Sequence, residues 1–177
     1  MNDFVFYRIA SKGDMDFLYD CFSSDDQFLY STKLNFSSKR NFEVWLNDRL
    51  HKEFHDFFIV KDKRSMLPIG YIHNYDFSLT DGHCKLVVYI SKEYRKTGAG
   101  GFVTVRYMKY LFDEYPLRKL YSTIYGYNTE SLKSNIAAGF EEEGCIDGYR
   151  YHDGIYHKIH YLSMSRKKFK ETLERMI

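Results

Sequence analysis

The segment Ile90-Ser91-Lys92-Glu93-Tyr94-Arg95-Lys96-Thr97-Gly98-Ala99-Gly100-Gly101 constrains this chain more than any other. An apolar, β-branched run (Leu86, Val87, Val88, Tyr89, Ile90) leads into it, and a long amphipathic helix pattern follows. Between them stand a basic pair, Arg95-Lys96, and three glycines within four positions. The composition predicts a strand, a tight turn and a helix N-terminus. Backbone N–H groups and the positive end of the helix dipole converge at such a junction, which suits it to a diphosphate. Glycine belongs there because a side chain would hold a phosphate away from the backbone.

Spacing excludes the two commonest phosphate loops. A P-loop needs G-x-x-x-x-G-K-[ST], and no Lys-Ser or Lys-Thr stands at that offset. A dinucleotide fingerprint needs G-x-G-x-x-G; Gly98 and Gly100 supply its first half, but the third position is Val103. A second informative string comes about thirty residues later: Asn128-Thr-Glu-Ser131, then Asn135, Gly139-Phe140 and Glu141-Glu-Glu. Asn128 closes a strand (Lys119 to Tyr127) and caps a short helix, with Ser131 one turn inside. Gly139 stops that helix and Phe140 returns to the core.

Arg95-Lys-Thr-Gly98-Ala-Gly100 fits [QR]-x-x-G-x-[GA], and with the Asn128 string in this order and separation it resembles the GNAT superfamily of acetyl-CoA-dependent N-acetyltransferases. The details look closest to its Rim-type branch. The resemblance covers nearly the whole chain, with its specificity concentrated in residues 84 to 144.

Size and composition agree with one domain over residues 1–177. Hydrophobic residues make up 44% and charged ones 28%, which is globular rather than disordered. A net charge of only +2 argues against nucleic acid as a partner. The N-terminus lacks a basic region followed by an apolar core, so no signal peptide is expected, and no apolar stretch reaches the ~20 residues of a membrane span. Cys21, Cys84 and Cys145 are odd in number and far apart, which fits reduced thiols in a cytoplasm and no metal. The 17 tyrosines and 15 phenylalanines can fill a core or line a cleft, and their count does not choose.

Along the chain, Phe4 to Ala10 reads as a strand. Ser11 to Asp14 opens a helix that Ser23-Ser24-Asp25-Asp26 breaks, and Ser37-Ser38 caps a second. Phe57 to Val60 and Ile69 to Phe77 read as antiparallel partners around a charged turn. Cys84 to Ile90 is a strand. A helix follows from about Gly100 to Glu114, with Phe102, Val105, Met108, Leu111 and Phe112 as its inner face. Glu142 to Tyr151 and Ile155 to Met164 form a hairpin across Asp153-Gly154, and Arg166 to Met176 a terminal helix. The order β-α-α-β-β-β-α-β-α-β-β agrees with the GNAT fold independently of the motifs.

The resemblance implies an α/β (α+β) fold with a mixed, largely antiparallel sheet of about seven strands, splayed at the acyl-CoA site and flanked by helices. It implies acetyl-CoA as co-substrate and a primary amine as acceptor: a protein N-terminus, polyamine, amino acid or amino sugar. The amides of Lys96, Thr97, Gly98, Ala99, Gly100 and Gly101 would take the diphosphate, with charge from Arg95 and Lys96. A backbone N–H near Tyr89 or Ile90 would polarise the thioester carbonyl, and Asn128 would fix pantetheine or the strand end. A homodimer is compatible with similar proteins.

Two positions depart from the family pattern. Cys84, beside Lys85, stands where many members carry a carboxylate base, and Asn135 where many carry a general-acid tyrosine. Ser131 is then the candidate donor to the departing sulfur, and His73 and His83 are candidate bases because imidazole titrates near neutrality. Each has a plain structural alternative: a small helix-packing serine, and histidines that are structural or face solvent. Catalysis by positioning alone stays open. So do a non-catalytic CoA-binding or interaction module and a nucleotide-phosphate binder.

Overall fold

The computed structural model describes residues 4–8, 12–29 and 36–174. Among the described residues seven strands form one sheet in the order β1-β2-β3-β4-β5-β7-β6. They are β1 (Phe4–Arg8), β2 (Phe57–Asp62), β3 (Pro68–Ser78), β4 (His83–Ile90), β5 (Lys119–Tyr125), β6 (Glu141–His152) and β7 (Ile155–Ser165). The helices are α1 (Lys12–Ser23), α2 (Lys39–Leu50), α3 (Ala99–Glu114), α4 (Thr129–Ala137) and α5 (Arg166–Glu174). The chain divides into two compact units, Met1–Asn74 with Val88–Gly100, and Tyr75–Val87 with Gly101–Ile177.

In the first unit β1 and β2 pair antiparallel, Phe6 opposite Val60, and β2 pairs with β3, Ile59 opposite Tyr71. Leu18, Phe42, Leu46, Ile59, Val60, Ile69 and Ile72 are fully buried. Helix α2 begins where its cap signal lies: the Ser38 hydroxyl accepts from Asn41 N at 3.2 Å. The Ser23–Asp26 break is also present. It leads into a 3-10 turn over Asp25–Leu29 that the sequence pattern does not announce. The expected first strand ends at Arg8, and Ala10 and Ser11 lie outside the described residues.

In the second unit β4 and β5 run parallel, but their ladder covers only His83↔Lys119, Cys84↔Leu120 and Lys85↔Tyr121. Strand β4 continues to Ile90 and β5 to Tyr125 beyond the last paired residues. Strand β5 instead pairs antiparallel with β7 over its full length, Lys119↔Ser165 to Tyr125↔Ile159. The β6–β7 hairpin turns on Asp153 and Gly154, both at positive φ. Along β6 the three residues Asp147–Tyr149 oppose a single position, Lys158, and this bulge interrupts an exposed edge strand.

The buried stripe of α3 is Val103, Tyr107 and Leu111, flanked by Thr104, Met108 and Phe112. Phe102, expected on this face, is 45% exposed. The apolar phase follows the i, i+4, i+8 row from Val103, which turns Phe102 outward. Gly139 has φ +95 and Phe140 N donates to Asn135 O at 3.1 Å, which ends α4 as expected; Phe140 is buried. Arg166 finishes the other end of α3. Its guanidinium donates to the carbonyls of Phe112, Tyr115 and Leu117, each at 2.6 Å.

Candidate active site

The turn after β4 lies in the first unit. Ser91 N donates to Ile69 O at 2.8 Å, which anchors the turn to β3. Tyr94 N and Arg95 N then donate to Ser91 O and Lys92 O, closing a single 3-10 turn. Lys96 (φ +63) and Gly98 (φ +85) are both left-handed, and Thr97 lies between them. Alternation of this kind aims successive N–H groups to one side and creates an anion-binding concavity. The Thr97 hydroxyl donates to Tyr94 O at 2.7 Å and accepts from Ala99 N at 3.4 Å, so it braces the turn from within.

The left-handed φ of Gly98 calls for glycine, whereas packing gives Gly100 and Gly101 little reason to be glycine. A Cβ built on Gly98 or Gly101 would meet nothing within 4 Å, and one on Gly100 only Ile90 at 3.9 Å. Two glycines in the first turns of a helix cost about 1 kcal/mol each relative to alanine. The open room beside them fits a ligand that must approach the backbone closely, as a diphosphate does.

The Arg95 side chain makes three contacts within the first unit. Its Nε donates to Ile90 O at 2.9 Å and its Nη2 to Asp26 Oδ2 at 2.6 Å, and the guanidinium lies 5.6 Å from the Tyr89 ring centre.

Tyr89 is fixed from several sides. A Cβ on Gly70 would stand 2.1 Å from Tyr89 O, so only glycine lets β3 come this close. The Tyr71 ring stacks on Tyr89 at 5.1 Å, and the Tyr89 hydroxyl shares a hydrogen bond with the Cys21 thiol. Burial pushes both groups up to about 12, so neither ionises near neutrality. Gly70, Tyr71 and Asp26 escaped the sequence reading. A glycine inside a strand pattern was the one available signal.

His73 stands on β3, stacked on Phe57 at 4.9 Å, with its Nδ1 3.3 Å from both His55 Nε2 and Asn74 O. Burial, helped by the neighbouring His55, pushes it down to about 3; burial lowers His55 as well. An imidazole this reluctant to protonate is a weak base.

The second unit holds the remaining candidates. Asn128 is the N-cap of α4, its side chain accepting from Ser131 N at 3.3 Å. Asn135 Nδ2 donates to Ser131 O at 2.9 Å and to Ser131 Oγ at 3.4 Å. Cys84 is fully buried in β4, and beside it Lys85 pairs with Asp76 at 2.8 Å, which holds that carboxylate below its usual range. His83 opens β4, edge-on to Tyr121 at 5.5 Å. The turn follows the strand's other end, seven residues on, or about 23 Å of extended chain. A cavity of about 550 Å³ lined by Gly126, Asp147, His157, Lys158 and His160 includes none of the candidate residues. Among the described residues no group of three His, Cys, Asp or Glu could hold a metal ion.

No protein-family model matches the chain. It is 24% identical over 149 residues to the SPbeta prophage-derived uncharacterized N-acetyltransferase YokL of Bacillus subtilis (strain 168), covering 83% of each chain. Among solved structures it superposes on spermidine N-acetyltransferase from Vibrio cholerae in complex with CoA and spermine. The TM-score there is 0.85 at 18% identity, over 94% of this chain and 98% of that one. A chimera of that spermidine N-acetyltransferase with hSSAT gives 0.83 at 19%, over the same shares. The seven-stranded sheet, its brief β4–β5 ladder and these likenesses agree: the chain has the fold of the GNAT N-acetyltransferases.

Proposed function

We propose that the chain is an N-acetyltransferase that moves an acetyl group from acetyl-CoA to a primary amine by direct attack. One observation carries the reading: left-handed Lys96 and Gly98, with open room at Gly98, Gly100 and Gly101, on a fold whose solved likeness holds CoA. The amides between Lys96 and Gly101, with that of Ala99 shared with the Thr97 hydroxyl, receive the diphosphate, and Lys96 adds charge. Arg95 shapes the turn rather than meeting the anion. The stretch of β4 beyond Lys85 offers a strand edge to pantetheine, and a backbone N–H at Tyr89 or Ile90 polarises the thioester carbonyl.

Asn128 fixes the start of α4. Asn135 donates into Ser131 Oγ, which leaves the hydroxyl's own proton to hydrogen-bond the departing sulfur. The amine attacks the carbonyl carbon, the C–S bond breaks, and the ammonium proton passes to water. Neither histidine is given that proton: His73 is held neutral in a buried ring stack, and His83 stands at the far end of β4. Positioning supplies the rate.

Polyamines are the first acceptors to try, because the solved likenesses are polyamine acetyltransferases; the Rim-type resemblance of the loop keeps peptide N-termini second. We also read residues 1–177 as one domain, since β3 and β4 run through both units. The cytoplasm suits three free cysteines. No described helix is long and apolar enough to cross a membrane.

The test is release of CoA with a panel of amines, preceded by thermal shift with acetyl-CoA, ATP and NAD. Turnover with any amine well above hydrolysis supports the proposal. Acetyl-CoA binding without turnover on any acceptor replaces it with a non-catalytic module. Stabilisation by ATP or NAD but not by acetyl-CoA overturns it.

A further inference from the structure

We infer that Asp26, in the 3-10 turn Asp25–Leu29, is a positioning residue for the phosphate turn and acts through Arg95. The inference rests on the reading of residues 95–101 as the acyl-CoA loop. Arg95 immediately precedes left-handed Lys96, yet its side chain folds back along the strand. The guanidinium spans two partners at once: Nε holds Ile90 O at 2.9 Å and Nη2 holds Asp26 Oδ2 at 2.6 Å. Ile90 is the last residue of β4, and Asp26 lies 69 residues before Arg95 in the chain. A planar fork with fixed N–H directions locks the entry to the turn between these two points; a lysine, a point charge on a flexible stem, would satisfy one of them. Both side chains are partly shielded, at 31% and 26% exposure, so solvent weakens the pair only in part.

A second contact comes from the same stretch of chain. Cys21, near the end of α1, hydrogen-bonds the Tyr89 hydroxyl, and Arg95 covers the Tyr89 ring. Residues 21–26 therefore hold both Tyr89 and Arg95, although none of them belongs to the loop's signature.

The inference makes a prediction opposite in sign to simple electrostatics. A carboxylate near a diphosphate repels it, so its removal should tighten CoA binding if Asp26 acts only through its charge. If Asp26 positions the turn, its removal weakens binding.

The experiment measures the Kd of CoA by calorimetry for the full chain carrying Asp26→Ala, Asp26→Asn, Asp26→Glu, Arg95→Lys, Arg95→Ala and Asp26→Ala/Arg95→Ala, at low and high salt. Asp26→Asn and Asp26→Ala are expected to weaken binding about tenfold, the factor that 1.4 kcal/mol produces. Asp26→Glu should restore most of it, and Arg95→Lys should not. The double variant should bind no worse than Arg95→Ala alone, because both changes break one link. In turnover the loss should fall on the KM for acetyl-CoA more than on kcat. Equal or tighter CoA binding by Asp26→Asn overturns the inference, as does strict additivity in the double variant. Failure of the wild-type chain to bind CoA overturns the underlying reading as well, so the two failures are distinguishable. Melting curves identify any variant that has lost its fold, and Asp26→Asn and Asp26→Glu then decide without Asp26→Ala.

Discussion

The turn after β4 and the cap of α4, the two regions to which we assign the acyl-CoA chemistry, are built in opposite ways. The turn works through its backbone: Lys96 and Gly98 are left-handed, and the glycines leave their flanks open. The cap works through side chains, with Asn128, Ser131 and Asn135 joined in a short hydrogen-bonded series. A backbone site is insensitive to what a side chain does and acutely sensitive to whether one is there. A side-chain site tolerates bulk and fails when one functional group is removed.

The sharpest way to break this contrast is to add carboxylates to the turn. Gly100→Glu should reduce acyl-CoA affinity by more than about a hundredfold, or 2.7 kcal/mol, with the melting temperature nearly unchanged, because an acidic side chain suits a helix N-terminus. Gly98→Glu should do the same with some loss of stability, since φ +85 strains any L side chain. Wild-type affinity in both, by calorimetry, would show the turn to be a connection only. Gly70→Ala tests the support beneath it. A Cβ driven against Tyr89 O should cost about 1–3 kcal/mol of stability in denaturant melts, and an unchanged midpoint would refute the close approach.

At the cap the expected losses are smaller and of a different kind. Ser131→Ala should lower kcat by about tenfold, as loss of one positioned donor worth about 1.4 kcal/mol would, while leaving the Kd of CoA alone; a pure Kd effect would erase the distinction between the two regions. Asn128→Ala should cost about 1 kcal/mol of stability through the lost cap. The gentlest test is acidification. His73 and His55 have folded-state values below the ordinary imidazole range, so the unfolded chain takes up protons first. Stability is then intact above about pH 6.5, falls as pH drops toward 3, and each imidazole contributes at most about 1.4 kcal/mol per pH unit. His73→Phe should flatten that slope.

Much of this was legible in the sequence because it is local. The Arg95–Gly101 turn, the Asn128 cap and the Gly139 stop are each written within a few consecutive residues, and the structure puts each in its expected element. What was missed depends on residues far apart in the chain. Nothing near Gly70 says that the carbonyl of Tyr89 will press on it. Nothing near Asp26 says that it will pair with the guanidinium of the loop motif. Phe102 was misplaced for a smaller reason: a helix one residue out of phase shares half its apolar positions with the right one, and only packing decides between them.

Arg166 carries a consequence for how this protein is made. The carbonyls at the end of α3 are satisfied by a guanidinium 49 to 54 residues downstream. On the ribosome, α3 is translated about fifty residues ahead of Arg166, so the end of that helix waits for a partner that comes later in the chain. A product truncated just ahead of Arg166 would keep every described strand and leave that end of α3 frayed.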